Sequence, residues 1–278
     1  MTATVLKDAM SDADFDRIAA LALSEAGIEL PRNKSAMIQS RIFRHMRKQG
    51  FTEGLSRFID LIIADEARRS ELVSVLTTNV TGFFREPHHF DTLRAFLKAR
   101  APSKTDRIRI WSAGCSAGHE PYSIAMTCHE LWPDIATRDV RILATDIDHD
   151  ILKLAREGVY SRSDVDKVGK ARLERYFEPV APDDPTRLRV SAEIGAIISF
   201  RPLNLHAEWP MRGVFDAIFC RNVVIYFSDE GRAQLWPRFR DILLPGGHLF
   251  IGHSERIHPL RDSGFEAAGI TTFRRIAA

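Results

Sequence analysis

The stretch over residues 107–126, R-I-R-I-W-S-A-G-C-S-A-G-H-E-P-Y-S-I-A-M, constrains the fold most. Ile108, Ile110 and Trp111 read as a buried strand, residues 112–118 as a turn of small residues, and the remainder as the start of a helix. A strand that turns on glycine straight into a helix opens a β/α unit, and such units build parallel sheets with helices on both faces. Gly114 and Gly118 allow positive φ and a close ligand approach, while the helix start offers unpaired N–H groups. That combination is a nucleotide-type pocket. It has neither the G-x-G-x-x-G spacing of a dinucleotide fold nor the G-K-[ST] ending of a P-loop. With Glu120 at the helix start and no lysine, a cationic or zwitterionic nucleoside such as S-adenosylmethionine fits better than a polyphosphate.

Downstream the alternation continues. Strands are predicted over 108–111, 140–145, 215–220 and 248–252, and helices over 121–131, 149–157 and 229–243, with Pro245-Gly246-Gly247 as a turn. Pro237 predicts a kink or break in the last helix. The segments 264–268 and 271–276 are too close for a helical crossover and read as a terminal antiparallel hairpin. Residues 160–201 are less regular. Two short strands around Gly195, 187–190 and 197–200, suggest a small inserted subdomain or a long connection.

The first part, to about residue 76, is helical with almost no strand signal. Ser11 and Asp12 can cap a first helix that Gly27 ends, and further helices are predicted after Pro31 to near Gly50, over 53–63 and over 65–76. Between Arg32 and Lys48 stand six basic residues, Arg32, Lys34, Arg41, Arg44, Arg47 and Lys48, and no acidic one. This run reads either as a solvated helix face or as a docking surface for an acidic partner. Residues 77–90, T-T-N-V-T-G-F-F-R-E-P-H-H-F, mix polar and aromatic residues without a period and read as a buried linker or a lid, followed by a helix over 87–100.

The chain of 278 residues carries a net charge of +2, too small to imply a nucleic-acid partner by itself. Cys115, Cys128 and Cys220 are widely spaced and odd in number, which fits a reducing cytoplasmic setting and neither a disulfide framework nor a zinc pattern. The acidic N-terminus, with Asp8, Asp12, Asp14 and Asp16, does not read as a signal peptide, and no apolar run reaches membrane-spanning length. The His residues show no metal-ligand spacing, so no metal is expected.

In a doubly wound sheet the ligand lies across the carboxyl ends of the central strands. The Gly114 turn, Asp146, Asn204-Leu205 and Cys220-Arg221-Asn222-Val223 fall there. Asp146 is placed to accept both ribose hydroxyls, with Asp148 left to cap the next helix, and Glu120 to accept from a ligand ammonium. Leu205 offers an apolar surface near an adenine and Asn204 a hydrogen bond. After the 215–220 strand the chain reads Arg-Asn-Val-Val-Ile-Tyr and lacks the Pro-Pro-aromatic run common in methyltransferases acting on amide or amino nitrogens. Cys220 as a nucleophile lacks a neighbouring His, which favours a small buried residue.

Taken in order, T-T-N-V-T-G-F-F-R-E-P-H-H-F, W-S-A-G-C-S-A-G-H-E-P-Y-S-I-A-M, A-T-D-I-D, N-L, F-D-A-I-F-C-R-N-V-V-I-Y-F and L-L-P-G-G-H-L-F-I-G-H-S-E resemble the CheR-type chemotaxis-receptor glutamate methyltransferases over nearly the whole chain. The resemblance implies an α/β, Rossmann-like class I methyltransferase with a doubly wound sheet and a small inserted β-subdomain, preceded by an all-α domain. The expected boundaries are 1–78 for the helical receptor-docking domain, 79–106 for a linker and lid helix, and 107–278 for the cofactor domain with its β-subdomain at about 160–202. It also implies that Asn79, Thr81, Arg85, Glu120, Asp146, Asn204, Leu205, Asn222 and Val223, beside the Gly114 turn, contact S-adenosylmethionine or its product S-adenosylhomocysteine. Arg85 and Tyr226 are marked as close to the reacting groups. The basic face of Arg41, Arg44, Arg47 and Lys48 would then hold an acidic helix of a receptor's cytoplasmic domain. The expected protein is a cytoplasmic monomer that makes glutamyl methyl esters, with no membrane insertion and no nucleic acid. The alternatives are an RNA methyltransferase or a catalytically inactive cofactor-binding adaptor.

Overall fold

The computed structural model describes residues 9–77, 79–101 and 103–276. Asp8, part of the acidic N-terminus, and Thr78, at the expected domain boundary, lie outside them. The chain divides into two units, a helical one that also takes in Asn204–Glu208 and Tyr226–Arg232, and a sheet unit made of the rest from Asn79 onward.

In the helical unit, α1 (Asp12–Ala26) begins where the Ser11 side chain accepts from Asp14 N–H and ends on Gly27 at φ 66°. It is followed by α2 (Ser35–Lys48), α3 (Leu55–Ala64) and α4 (Glu66–Leu76), the last capped by Asp65. Phe15, Ile18, Ile38, Ile42, Met46, Phe58, Ile59 and Leu72 are buried, the apolar faces that short helices need in order to be stable. On the basic helix, Arg44, Arg47 and Lys48 are exposed. Arg41 is not part of that exposed set. Its guanidinium donates to Leu76 O at 2.5 Å and Thr77 O at 2.7 Å, satisfying carbonyls at the end of α4 that have no helical partner.

The sheet unit opens with α5 (His88–Arg100), followed by β1 (Ile108–Ala113), α6 (His119–Leu131), β2 (Val140–Asp146) and α7 (His149–Glu157). After β3 (Val159–Ser161) come α8 (Arg162–Val165), α9 (Lys170–Tyr176), β4 (Phe177–Ala181), β5 (Asp184–Val190), α10 (Ala192–Gly195) and β6 (Ile198–Pro202). The chain then forms β7 (Phe215–Cys220), α11 (Asp229–Ile242), β8 (Leu243–Ile251) and the hairpin β9 (Phe265–Gly269) and β10 (Thr272–Arg275). The main sheet has seven strands in the order β6-β2-β1-β7-β8-β10-β9. The first five run parallel, and β10 and β9 close the edge antiparallel. From β1 the chain moves outward to β2 and β6 and then returns to β7 on the other side of β1. The order reverses between β1 and β7, where open α/β sheets bind ligands.

Four local readings change. The small inserted sheet is β3-β5-β4, so the strand near 187–190 pairs with Phe177–Ala181 and Val159–Ser161. The 197–200 strand belongs to the main sheet, parallel to β2, because Ile142 to Asp146 offer an open edge there. The helix around Pro237 is continuous over Asp229–Ile242. Pro245-Gly246-Gly247 lies inside β8, at a register shift opposite Phe215–Ala217.

Replacing Arg41 by Met should destabilise the protein by about 1–3 kcal/mol through loss of charge-assisted bonds at the α4 terminus. Arg44→Met should stay within about 0.5 kcal/mol of the parent, as exposed substitutions usually do. Urea unfolding of the two variants checks the difference.

Candidate cofactor site

At the switch point β1 ends in the glycine turn. Gly114 N and Cys115 N both donate to Thr145 O at 2.8 Å, which fastens the turn to the end of β2. Gly114 sits at φ 83°, and a Cβ there would lie 2.3 Å from Cγ2 of Val223. Glycine is therefore required twice, by backbone conformation and by the closeness of the loop after β7. At Gly118, φ is 89° and a Cβ would meet the Tyr160 hydroxyl at 2.9 Å. That hydroxyl donates to Ala117 O at 2.7 Å, so the inserted sheet props the far side of the turn.

Asp146 ends β2 buried, its Oδ2 accepting from Ser116 N–H at 2.7 Å and its Oδ1 from Asp148 N–H at 3.0 Å. Burial pushes its pKa up against those hydrogen bonds. Capping of α7 falls to Asp148, whose Oδ1 accepts from Asp150 and Ile151 N–H. Its Oδ2 accepts from Asn79 Nδ2 at 3.0 Å, and Ser116 Oγ donates to Asn79 Oδ1 at 3.4 Å. Asn79 is thus tied to the same corner as Asp146.

Glu120, in the first turn of α6, accepts from Ser112 Oγ at 2.7 Å and pairs with Arg221 Nη1 at 3.2 Å. Burial raises its pKa, and the Arg221 charge pulls it back. Arg221 also lies 3.5 Å from Glu86 Oε2, donates to the Arg85 carbonyl and stacks its guanidinium over Phe90 at 5.8 Å. Arg221 and Glu86 were not chosen from the sequence. The signal available was two carboxylates and a strand-end arginine on buried stretches, where an ionised group needs a partner. Arg85 donates to Val80 O at 3.2 Å and stands between Phe84 and Glu86, both in the left-handed region at φ 51° and 56°. Such strain persists where the surroundings over-determine the backbone. Here Ser123 Oγ accepts from Phe84 N–H at 3.0 Å and Arg221 holds the Arg85 carbonyl. Thr81 is half-buried on the same segment.

Beyond β7, Asn222 at φ 58° and Val223 are held by the carboxylate of Glu255, which accepts from Asn222 N–H and Val224 N–H at 3.0 Å each. Asn204, Leu205 and Tyr226 group with the helical unit. Asn204 Nδ2 donates to Glu25 O at 2.6 Å, Tyr226 O accepts from Glu29 N–H at 2.7 Å, and the Lys34 ammonium lies 5.9 Å from the Tyr226 ring. Leu205 is buried.

Among the described residues, Glu86, His88 and His89 offer ligand atoms within 4.8 Å of one another. The Arg221 guanidinium already neutralises Glu86, so the group is poorly suited to a further cation. Burial pushes the thiols of Cys115 and Cys220 well above their usual range and that of Cys128 to about 12, so none is a thiolate nucleophile near neutral pH. His119 is packed on Phe83 and Tyr160 with its pKa lowered by burial to about 4, and adds no charge to the turn.

Residues 79–273 match the family described as CheR methyltransferase, SAM binding domain, and residues 13–77 match its all-alpha domain. The chain belongs to the CheR methyltransferase family. A probable chemotaxis protein methyltransferase of Rhizobium etli is 44% identical over 257 residues, covering 90% of this chain and 95% of the relative. The chemotaxis protein methyltransferase of Escherichia coli is 37% identical over 268 residues, covering 95% and 91%. Among solved structures, the N-methyltransferase NodS of Bradyrhizobium japonicum, in complex with S-adenosylhomocysteine, aligns at 19% identity over 61% of this chain and 62% of NodS, at a TM-score of 0.33. That likeness is too distant to carry an argument.

The fold is the mixed α/β sheet of a class I methyltransferase behind an all-α domain, and the cofactor of the CheR domain is S-adenosylmethionine. The residues fit it. The turn is free of lysine, its glycine leaves no room for a side chain, and the acceptor carboxylates Glu120 and Asp146 flank it.

Gly114→Ala should cost about 2 kcal/mol or more, from the left-handed backbone and the overlap with Val223. Adding Val223→Ala, which removes the opposing methyl groups, should recover part of that loss in urea unfolding. His119 supplies a pH test. Its folded pKa lies below the unfolded value, so its stabilising contribution is complete above about pH 6.5 and is lost as pH falls toward 4. At pH 5 the loss is about 2 kcal/mol, and His119→Phe should lessen the fall in stability between pH 7 and pH 5 by about that amount, with the slope from buried His89 remaining.

Proposed function

We propose that this chain methylates glutamate side chains of chemotaxis receptors, giving glutamyl methyl esters and S-adenosylhomocysteine. The observation that carries the reading is the strained Arg85 segment, anchored by Arg221 to the same buried carboxylate, Glu120, that flanks the cofactor turn. The curated relatives named as chemotaxis protein methyltransferases support it, as does the nitrogen-substrate motif missing after β7.

In this reading Glu120 and Arg85 hold the amino-acid end of the cofactor, Asp146 its ribose, and Asn79, Thr81, Asn204, Leu205, Asn222 and Val223 the rest. The bound cofactor supplies an electrophilic methyl group on a sulfonium centre. A glutamate side chain is already ionised near neutral pH, so the acceptor needs no general base. What the protein contributes is alignment of that carboxylate and its removal from water. Arg85, with a planar fork suited to carboxylates and its place beside the reacting groups, fixes the cofactor's carboxylate so that the methyl group faces the acceptor, and Tyr226 lines the acceptor's approach. No helix among the described residues is long and apolar enough to cross a membrane.

Arg44, Arg47 and Lys48 form the docking face for an acidic receptor helix, while Arg41 serves the fold. Incubation with labelled cofactor and receptor-containing membranes should give base-labile label released as methanol. Base-stable label on protein or RNA would replace this reading with another methyl acceptor, and no label with an inactive adaptor. Arg85→Ala should lower turnover by about 10²-fold or more, the scale of a lost positioning group. Charge reversal at Arg44 and Arg47 together should raise the receptor KM about tenfold with the S-adenosylhomocysteine Kd unchanged. Loss of both in parallel would remove the docking role.

A further inference from the structure

Glu255 is the most deeply buried carboxylate near the candidate site, at 3% exposure, and the chemistry above gives it no role. It sits in the turn after β8 and faces the loop after β7. Its Oε1 accepts from Val224 N–H at 3.0 Å, and its Oε2 accepts from Asn222 N–H at 3.0 Å and from Gly252 N–H at 2.5 Å. One side chain therefore satisfies N–H groups on two strand ends that no sheet ladder reaches.

The loop it holds has little freedom. Asn222 is left-handed at φ 58°, and at Gly252 a Cβ would lie 2.5 Å from Asn222 Nδ2. Val223, the next residue, abuts Gly114 so closely that a Cβ on the glycine would come within 2.3 Å of it. Glu255 thus sets Asn222, Asn222 sets Val223, and Val223 rests on the glycine turn. A carboxylate suits this task because it only accepts, with room at each oxygen for more than one donor. An amide of the same shape would turn an NH₂ group toward N–H groups.

We propose that Glu255 is a positioning residue for cofactor binding, holding Asn222 and Val223 at the height above the Gly114 turn that S-adenosylmethionine requires. It acts through the backbone and does not itself touch the cofactor. The inference rests on the reading of Asn222 and Val223 as cofactor contacts, so the test separates the two.

Calorimetric titration of S-adenosylhomocysteine into the full chain, its Glu255→Gln variant and its Asn222→Gly variant is the experiment, with methylation kinetics and thermal unfolding on the same samples. Glu255→Gln should weaken binding about tenfold, the value of about one misplaced buried hydrogen bond. Its turnover at saturating cofactor should stay within about twofold, a KM-type effect that general destabilisation would not produce. Folded Glu255→Gln with wild-type affinity overturns the proposal if Asn222→Gly still weakens binding. Wild-type affinity in Asn222→Gly shows instead that the loop is not a cofactor contact, and the proposal falls with that reading. If Glu255→Gln does not fold, Gly252→Ala reads the same coupling from the opposite side. It should weaken binding by displacing Asn222, and unaltered affinity there overturns the proposal.

Discussion

The guanidinium of Arg221, buried where β7 meets the glycine turn, is the interaction on which the candidate site depends. It pairs with Glu120 at the start of α6 and with Glu86 before α5, and it holds the Arg85 carbonyl between two left-handed residues. Two carboxylates this close together and partly withdrawn from water would be costly unless a cation sat between them. A planar fork with five donors can serve all three acceptors at once, which the point charge of a lysine could not do. Sheet, cofactor turn and Arg85 segment are therefore joined by one side chain that need not react.

The turn itself is built from closeness. Gly114 leaves no volume between itself and Val223, Gly252 none between itself and Asn222, and Glu255 ties the two loops by their backbones. These contacts leave the strand ends as a rigid frame at the point where the sheet order reverses. In such a frame the carboxylates Asp146 and Glu120 are oriented before any ligand arrives, so little ordering cost remains at binding. The three cysteines in this unit are buried thiols that contribute packing and no nucleophile.

Much of the fold was legible because its signals are local. Ser11 and Gly27 bound α1, Asp65 caps α4, and the apolar run Phe215–Cys220 is a fully buried central strand. The errors share one cause, which is that pairing partners are not local. Ile198–Pro202 reads the same whether it joins a hairpin or the edge beside β2, and Pro245-Gly246-Gly247 reads as a turn although its neighbours carry it within β8. Pro237 was expected to kink or break a helix, and the break does not occur, since burial of Leu235, Trp236 and Phe239 anchors the turns on both sides.

What the sequence determined by itself was the alternation of strands and helices outside residues 158–202, the glycine turn with its acidic companions, and the family to which those motifs belong. These depend on residue type and spacing, which a chain carries before it folds. Tertiary structure decided which charges face one another and which side chains serve the scaffold. Arg41 looked like part of a basic surface until the end of α4 was brought against it, and Arg221, Glu86 and Glu255 carried no mark until burial gave each a partner. A charge acquires its role from the desolvation it suffers and the partner it meets, and both are properties of the folded chain.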